Sequence, residues 1–333
     1  MSKSKIKNIE SYFPKNILTN DMISEEFPSW SSKNIESKLG IKSRYIVDQN
    51  ETALDLAYHA ASKVLRKYDR SKIDFLILCT QSPDYFLPTS ACILQTKLNL
   101  GKNVGAFDFN LGCSGYIYGL GLAKSLLSSN MAKSILLVMS DTYSKHINKL
   151  DFANRSIFGD GATASIIESN EIDHLYEFVF GTDGSGFNNL IIPNGGVKNR
   201  YEDNPKLIEL KNGNMNTNND LYMNGPEIFN FTIEIIPKLI DDVLEKNKKN
   251  IEEIDYFIFH QANSFMLNYL RKKLRIPKDK FYNNILETGN TVSSTIPIAL
   301  KDCMENEIVQ SGDLVMLCGF GVGYSWGATI IKI

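Results

Sequence analysis

The chain alternates between short, continuously apolar runs and longer segments in which apolar residues recur every three or four positions. The runs at 75–78 and 256–259 have the length and composition of buried strands, and the longer segments predict amphipathic helices. The predicted helices cover residues 51–68, 88–98, 226–246 and 263–274. The polar, turn-rich segment 211–220 predicts a mobile surface loop. Strands that alternate with helices are typical of an α/β fold with largely parallel sheets.

The order of these elements occurs twice along the chain. Both apolar runs follow an Ile-Asp pair, and each lies between two predicted helices. A glycine turn then follows at a similar distance, ending at Cys113 in the first copy and at Asn290 in the second. We therefore predict two duplicated halves, residues 1–170 and 171–333, packed into one subunit with Cys113 and Asn290 facing each other near its centre.

Charge and hydropathy narrow the range of functions. The 333 residues contain 36 Lys and Arg against 38 Asp and Glu, so the net charge is -2. This balance excludes the global positive field with which a protein holds a nucleic acid. The most apolar run, 135–139, is too short to cross a bilayer, and no apolar stretch of secretory length follows the basic N-terminus. We expect a cytoplasmic protein.

Five cysteines are scattered along the chain, an odd number without any C-x-x-C pair, which fits neither a disulfide framework nor a structural zinc site. Cys113 is distinctive because it separates a strand-like segment from a small, apolar, helix-like segment at 114–123. A helix N-terminus favours the thiolate, so we predict that Cys113 is a nucleophile; a buried, inert thiol is the alternative. The remaining cysteines are predicted to lie in the core: Cys79, Cys92, Cys303 and Cys318.

Two further polar residues are candidates for the same site. His260 follows the second apolar run, and α/β folds place their sites at the ends of parallel strands. Its imidazole can donate, accept or shuttle protons, although a single histidine can equally be bonded to a core carbonyl. Asn290 after Gly289 can be a helix cap, but its correspondence to Cys113 favours a role in the site. The other histidines are predicted to be structural: His59, His146 and His174.

The glycine-rich segment 319–327 follows a predicted strand near the end of the chain. It does not fit the G-x-G-x-x-G pattern of dinucleotide sites, and no acidic residue follows at the expected distance. Glycines here let the backbone approach a reacting carbonyl, where an N–H group can contribute to an oxyanion hole. The chain also lacks the Walker motif of nucleotide hydrolases.

Together these segments resemble the β-ketoacyl-acyl-carrier-protein synthase III family. The matching motifs follow the family order over nearly the whole chain: Pro88-Thr89-Ser90-Ala91-Cys92, Cys113 in its glycine-rich setting, Phe158-Gly159-Asp160-Gly161-Ala162, Gly225-Pro226-Glu227-Ile228-Phe229, His260-Gln261-Ala262-Asn263, Gly289-Asn290-Thr291 and 319–327. The resemblance implies a thiolase-like, five-layered α/β/α/β/α fold of two duplicated halves, and a homodimer. It also implies coenzyme A and acyl-carrier-protein thioesters as substrates, with no metal or redox cofactor.

The resemblance further implies a mechanism. Cys113 attacks an acyl thioester and forms an acyl-enzyme, while the backbone N–H groups of Cys113 and Val322 hold the oxyanion. His260 and Asn290 then stabilise the enolate that forms when malonyl-acyl-carrier-protein, or malonyl-coenzyme A, loses carbon dioxide. Attack of this carbanion on the acyl-enzyme gives a β-ketoacyl thioester.

The resemblance also assigns substrate and carrier contacts. In family order, the substrate contacts fall on Leu87, Arg155, Gly225, Phe229 and Asn263, and the basic docking pair for the carrier protein falls on Lys272 and Lys273. Leu87 stands where a phenylalanine is common and reaches the partner subunit's acyl pocket. Loss of this aromatic wall predicts a primer other than acetyl, longer or branched.

Some positions depart from the family pattern. Asn34 and Lys38 stand where many members have a tryptophan and an arginine that enclose the coenzyme A adenine. Trp30 can replace that tryptophan only if the local spacing differs. Asn230 and Phe265 stand where basic residues often meet the carrier protein or coenzyme A. These departures favour a specialised pathway over primary fatty-acid synthesis.

Three alternatives remain open. Thiolases share the fold but carry Asn-Glu-Ala-Phe at the His260 segment and a second cysteine at Gly319; Cys318 is one residue away, on the other face of a strand. A related acyltransferase passes its acyl group to an oxygen or nitrogen nucleophile, which does not require both His260 and Asn290. A noncatalytic thiolase-fold partner subunit has no reason to keep all three catalytic residues.

Overall fold

The computed structural model describes residues 3–210 and 213–333 of the chain. Its strands are β1 (Lys3–Tyr12), β2 (Asn16–Thr19), β3 (Ser43–Ile46), β4 (Phe75–Cys79), β5 (Gly105–Phe109), β6 (Ser134–Asp141), β7 (Gly161–Asn170), β8 (Val179–Thr182), β9 (Leu190–Ile191), β10 (Ile208–Glu209), β11 (Met215–Asn216), β12 (Tyr222–Met223), β13 (Tyr256–Phe259), β14 (Leu314–Gly321) and β15 (Ser325–Lys332). Its helices are α1 (Asn20–Glu26), α2 (Ser32–Leu39), α3 (Ala53–Leu65), α4 (Ser90–Lys97), α5 (Gly115–Ser128), α6 (Phe152–Ile157), α7 (Gly225–Lys246), α8 (Ser264–Lys273) and α9 (Thr295–Glu305). No helix within the described ranges has the length and hydropathy of a membrane span.

Two sheets form the centre of the molecule. The first has the strand order β1-β7-β6-β4-β5, in which β6, β4 and β5 are parallel, while β7 is antiparallel to both β1 and β6. The second has the order β13-β14-β15-β8, in which only β13 and β14 are parallel. The strands of the first sheet end at Asn170, and those of the second begin at Val179.

Helices cover both faces of each sheet. Successive side chains of a strand point to opposite faces, so each central strand packs against helices on both sides. Ile77 and Cys79 of β4 pack with α5 and α9, whereas Leu76 and Leu78 pack with α3 and α4. The helices α5 and α9 lie between the two sheets, since they share one buried cluster with strands of both. The helices α7 and α8 cover the outer face of the second sheet. These five α/β/α/β/α layers confirm the predicted fold.

The chain follows the same path in both halves. The series α3, β4, α4, β5 and α5 corresponds to α7, β13, α8, a parallel bridge at Phe281, and α9. Cys113 precedes α5 and Asn290 precedes α9, so both lie near the N-terminal ends of the two central helices. The two turns meet where Gly112 packs against Val292.

The cysteines differ in burial. Cys79, Cys303 and Cys318 are fully buried, as predicted for core residues. Cys92 is exposed, so its predicted core position is wrong. The short helix α4 buries Ala91 on the inner side, and Cys92 therefore points outward.

The segment 211–220 is less exposed than its composition predicts. Its described part contains β11, which pairs with β10, and the side chains of Asn214, Asn216 and Asn219 are buried. The amide of Asn216 donates to a backbone carbonyl at 2.8 Å. These polar residues thus form internal hydrogen bonds instead of facing solvent. The residues outside the described ranges are Met1, Ser2, Lys211 and Asn212.

Helix α7 continues through Pro237, although a proline in a helix interior usually kinks or breaks the helix. A proline inside a helix lacks the N–H that would bond the carbonyl four residues earlier, here that of Ile233. The Lys273 ammonium of α8 donates to this carbonyl at 2.7 Å. A side chain from the neighbouring helix therefore satisfies the group that the proline leaves free.

Candidate active site

Cys113 lies between β5 and α5, two residues before the helix begins. Its side chain is 6% exposed and packs against the end of β14, where a Cβ on Gly321 would lie 3.0 Å from Cys113 Sγ. A Cβ on Gly319 would lie 2.9 Å from the Cys113 carbonyl oxygen. Cys318 packs with α7 and α8 instead. The glycines of β14 therefore allow the strand to approach the candidate nucleophile closely.

We predict that Gly321→Ala impairs the site. The added methyl group would lie 2.8 Å from Cys113 Cβ, so the cysteine must move. A displacement of this kind lowers the rate of Cys113 acylation by roughly 10- to 100-fold and the free energy of unfolding by about 1–3 kcal/mol. Mass spectrometry of the Cys113 peptide over time measures the rate, and chemical denaturation measures the stability.

The matched control is Gly101→Ala, because no atom lies within 4 Å of the methyl group that this substitution adds. It should leave the acylation rate unchanged. An acylation rate in Gly321→Ala equal to that of Gly101→Ala would show that the close approach of β14 is unimportant.

Cys113 carries a proton in the resting protein. Burial, and to a smaller extent the charge of Asp141, raise the pKa of its thiol to about 12, while the hydrogen bond from its own backbone N–H opposes the change. The helix terminus favours the thiolate, but removal from water favours the thiol and has the larger effect. Attack on a thioester must therefore be coupled to loss of the thiol proton.

His260 directly follows β13 and is 2% exposed. Its Nδ1 lies 2.7 Å from the hydroxyl of Thr295, and its Nε2 lies 3.5 Å from Nδ2 of Asn290. Its ring meets Phe320 edge-on, at the end of the same strand that contacts Cys113. Burial lowers the pKa of His260 to about 3, so the imidazole is neutral.

Asn290 is held in a turn between the two halves. Its N–H donates to the carbonyl of Ile157 at 2.9 Å, and its carbonyl accepts from the N–H of Gly159 at 3.0 Å. Its side-chain oxygen accepts from the N–H of Val292 at 2.9 Å, which leaves the amide NH2 group near His260. Val292 has a φ of +56°, a strained backbone conformation for a β-branched residue and one that is typical of functional sites.

A buried carboxylate near this turn was not identified from the sequence. Asp141 ends β6 and accepts hydrogen bonds from the N–H of Gln81 at 2.8 Å and from the hydroxyl of Ser293 at 2.5 Å. Burial raises the pKa of Asp141 to about 7. These bonds tie the turn that contains Asn290 to the first sheet. The sequence feature that could have revealed Asp141 is its position two residues after the apolar run 135–139.

The Cys113 side chain lies in an apolar cluster. The other buried members are Tyr143, Phe158, Leu190, Leu221 and Val292. Leu190 begins β9 and Leu221 directly precedes β12, and no motif in the sequence connects either residue with the site. A hydrocarbon chain attached to Cys113 would thus have apolar neighbours.

Val322 follows β14, in the turn that leads to β15. Its side chain packs against Gly112, next to Cys113. The hydroxyl oxygens of Ser114 and Ser325 lie 2.6 Å apart and join the start of α5 to the start of β15. This pair holds together the two backbone segments of the predicted oxyanion hole.

Comparisons with known proteins identify the family. The models described as 3-oxoacyl-[acyl-carrier-protein (ACP)] synthase III and its C terminal match residues 107–184 and 244–333. Proteins named beta-ketoacyl-[acyl-carrier-protein] synthase III from Clostridium perfringens and Campylobacter fetus are 38% and 35% identical to this chain; both alignments cover 100% of it, and 100% and 99% of the relatives. This chain belongs to the β-ketoacyl-acyl-carrier-protein synthase III family.

Solved structures agree with this assignment to the synthase III family. A crystal structure of a 3-oxoacyl-(acyl-carrier-protein) synthase III is 43% identical, with a TM-score of 0.98 over 99% of this chain and 100% of that one. A 3-oxoacyl-(acyl-carrier protein) synthase from Burkholderia xenovorans is 34% identical, with a TM-score of 0.92 over 99% of this chain and 94% of that one. The resemblance is confirmed, and with it the prediction of a condensing enzyme of the acyltransferase class.

Arg155, one of the substrate contacts expected of a synthase III, forms an ion pair within the protein. Its guanidinium donates to both carboxylate oxygens of Glu26, at 2.5 and 3.0 Å, which lowers the pKa of Glu26. The Trp30 ring stacks on Phe152 with centroids 4.5 Å apart, and Lys38 Nζ lies 4.5 Å from the centroid of Trp30. The structure therefore brings Trp30 and Lys38 together, although their spacing in the sequence differs from the family pattern.

Among the remaining substrate positions of the synthase III pattern, Asn263 lines a cleft of about 660 Å³. Its walls include Lys38, Gly40, Asn263, Phe265, Tyr269 and Lys272. Asn263 caps α8, because its side chain accepts from a backbone N–H of the first turn. Gly225 begins α7, and Phe229 in the next turn packs against Phe265 and Tyr269.

The predicted docking and primer residues lie on the surface. Lys272 is exposed at the cleft, whereas Lys273 is bonded to a backbone carbonyl of α7. Leu87 is 83% exposed and adjoins Phe86, which is 77% exposed. Leu87 does not belong to the apolar cluster around Cys113. Within one subunit the structure thus brings His260 and Asn290 together, places Cys113 and His260 against the same strand β14, and leaves Leu87 outside the cluster around Cys113.

Proposed function

We propose that this synthase III joins an acyl primer to a malonyl thioester with loss of carbon dioxide. The observation that supports the proposal is a neutral imidazole and an amide whose nitrogens are 3.5 Å apart, together with a buried thiol that packs against β14, the strand that also meets the imidazole ring. A thiol supplies the nucleophile, and the two nitrogen groups supply donors for a thioester oxygen. Acyl transfer without decarboxylation does not require this second pair of donors.

In the first half-reaction, the sulfur of Cys113 forms a bond to the carbonyl carbon of acyl-coenzyme A. The bond from that carbon to the coenzyme A sulfur breaks, and the proton of the Cys113 thiol is balanced by protonation of the departing thiol. The backbone N–H groups of Cys113 and Val322 stabilise the negative oxygen of the intermediate. The acyl chain enters the apolar cluster around Cys113.

In the second half-reaction, the bond between the malonyl carboxylate and the α-carbon breaks. Carbon dioxide leaves, and the electron pair forms an enolate whose oxygen accepts hydrogen bonds from His260 Nε2 and Asn290 Nδ2. The enolate carbon attacks the acyl carbon, and the Cys113 sulfur is expelled and takes up a proton. A neutral His260 suits this role because its Nε2–H can donate a hydrogen bond to the enolate oxygen.

We further propose that the protein acts in the cytoplasm as a homodimer, with acyl-coenzyme A and acyl carrier protein as substrate carriers and without a metal or redox cofactor. The exposed apolar side chains of Tyr85, Phe86 and Leu87 support a partner on that surface. β5 is an edge strand of the first sheet, with one side available for pairing. The exposed Lys272 and the cleft beside it support docking of an acidic carrier.

Leu87 is expected to set the primer preference. In a homodimer the exposed loop that carries it can enter the partner's acyl pocket, where leucine leaves more room than phenylalanine. We predict that kcat/KM for longer or branched acyl-coenzyme A exceeds that for acetyl-coenzyme A by roughly 10-fold or more. Leu87→Phe should shift the preference toward acetyl, whereas Phe86→Leu is a control on the same loop. Equal or better turnover of acetyl-coenzyme A by the unaltered protein would contradict the prediction.

One experiment tests the proposed function. The protein is incubated with a panel of acyl-coenzyme A thioesters, the Cys113 peptide is examined for acyl mass, and malonyl-loaded acyl carrier protein is then added. We expect an adduct on Cys113, followed by a β-ketoacyl product and release of carbon dioxide. An adduct without formation of a carbon-carbon bond would indicate transfer to an oxygen or nitrogen nucleophile. Absence of any adduct would indicate a noncatalytic subunit.

A further inference from the structure

A small cavity adjoins Thr295, the residue whose hydroxyl meets His260. Its walls include the polar side chains of Gln261, Tyr282, Thr291 and Thr295. Its volume of about 10 Å³ is close to the space that one buried water occupies, and a buried water needs two to four polar partners. The cavity has the size and the polarity of a site for a single water molecule.

This cavity adjoins a surface cleft of about 400 Å³. The two share four wall residues: Tyr282, Asn284, Thr288 and Ile298. Tyr282 donates a hydrogen bond to the carboxylate of Asp302 at 2.6 Å, and Asp302 and Glu305 line the cleft. We name the cavity and the cleft together the rear passage. Groups that exchange protons with water thus extend from the surface to Thr295.

The Thr295 hydroxyl connects the rear passage to the imidazole. Its oxygen lies 2.7 Å from His260 Nδ1 and 3.2 Å from the carbonyl oxygen of Val292. A hydroxyl has one proton to donate, so it donates either to Nδ1 or to that carbonyl. In the first case the neutral imidazole carries its proton on Nε2; in the second, Nδ1–H donates to the hydroxyl and Nε2 is bare. The orientation of the hydroxyl is therefore coupled to the tautomer of His260.

The proposed condensation step requires a proton for the sulfur of Cys113. Condensation expels the sulfur of Cys113 as a thiolate, and burial favours its thiol form. If His260 Nε2–H protonates the sulfur, Nδ1 takes the Thr295 hydroxyl proton, and the hydroxyl takes a proton from the water in the cavity. Solvent restores that proton through the rear passage. The balance is one proton taken up for each carbon dioxide released.

We propose that the rear passage, with one water and the Thr295 hydroxyl, carries protons between solvent and His260 during turnover. The proposal rests on the proposed condensing function. Thr295 acts through His260 and is therefore a positioning residue. The rear passage shares no wall residue with the cleft of about 660 Å³ beside Lys272, where we propose that the carrier docks, and so supplies a separate route for the proton.

Thr295→Val removes the hydroxyl and keeps the shape of the side chain. We expect the acyl adduct on Cys113 to form, kcat for condensation to fall roughly 10-fold or more, and the solvent deuterium isotope effect on kcat to rise, because proton delivery becomes limiting. Thr295→Ser should restore both values. Thr163→Val is the matched control, since Thr163 is buried and its hydroxyl forms no hydrogen bond.

Ile298→Phe tests the passage without altering Thr295 or His260. The larger ring narrows the link between the cavity and the cleft, so kcat should again fall and the isotope effect should rise. The relay would be overturned if both Thr295→Val and Ile298→Phe kept the wild-type kcat and isotope effect while adduct and product still formed. The condensing function would remain intact in that case. A lower kcat with an unchanged isotope effect would also overturn it, as a purely structural effect. Failure of the unaltered protein to condense would instead overturn the proposed function, and the relay with it.

Discussion

Replacing Cys113 by alanine is expected to abolish both the acyl adduct and the β-ketoacyl product. The side chain is almost fully buried between β14 and the N-terminal end of α5, and a methyl group there cannot form a thioester. Loss of a covalent nucleophile lowers kcat by on the order of 10³-fold or more. Product formation from acyl-coenzyme A and malonyl-loaded acyl carrier protein measures the effect, together with mass spectrometry of the intact protein.

Cys92→Ala is the matched control, because Cys92 is the exposed cysteine of α4 and lies outside the cluster around Cys113. This variant should keep both signals. Thermal unfolding of both variants distinguishes a lost nucleophile from a lost fold. An acyl adduct that persists in Cys113→Ala at the wild-type level would place the nucleophile elsewhere.

Replacing His260 or Asn290 by alanine is expected to separate the two half-reactions. Each variant should still form the acyl adduct on Cys113, since the nucleophile and the N–H groups of the oxyanion hole remain. Decarboxylation should fall by about 10²- to 10³-fold, the usual effect of removing one donor to a developing negative oxygen. Release of carbon dioxide from malonyl-loaded acyl carrier protein measures the decarboxylation.

Asn290→Asp is a sharper version of the same test. An aspartate keeps the oxygen that accepts the N–H of Val292, so the strained turn retains its hydrogen bond. It replaces the donor near His260 by an acceptor. We expect decarboxylation to fall as far in Asn290→Asp as in Asn290→Ala. Unchanged condensation in either variant would show that Asn290 does not stabilise the enolate.

Much of the architecture follows from local patterns. The apolar runs at β4 and β13 and the amphipathic segments at α3, α4, α7 and α8 are found where the sequence predicts them, because side-chain periodicity depends only on the local backbone. Surface and core are less easily distinguished. Cys92 and the asparagines at 214–219 show that composition does not reveal which side of a short helix or hairpin is covered.

The candidate site, too, follows in part from the sequence and in part only from the tertiary structure. The sequence by itself identifies Cys113, His260 and Asn290 as candidates, because each follows an element of a duplicated pattern. Only the tertiary structure decides that Thr295 meets His260 and that Asp141 bonds Ser293, 152 residues away in the chain. It also decides that Cys113 is a thiol and that His260 is neutral. The physical reason is that contact and burial arise only when the two sheets enclose α5 and α9, and removal from water then sets the charge of each group.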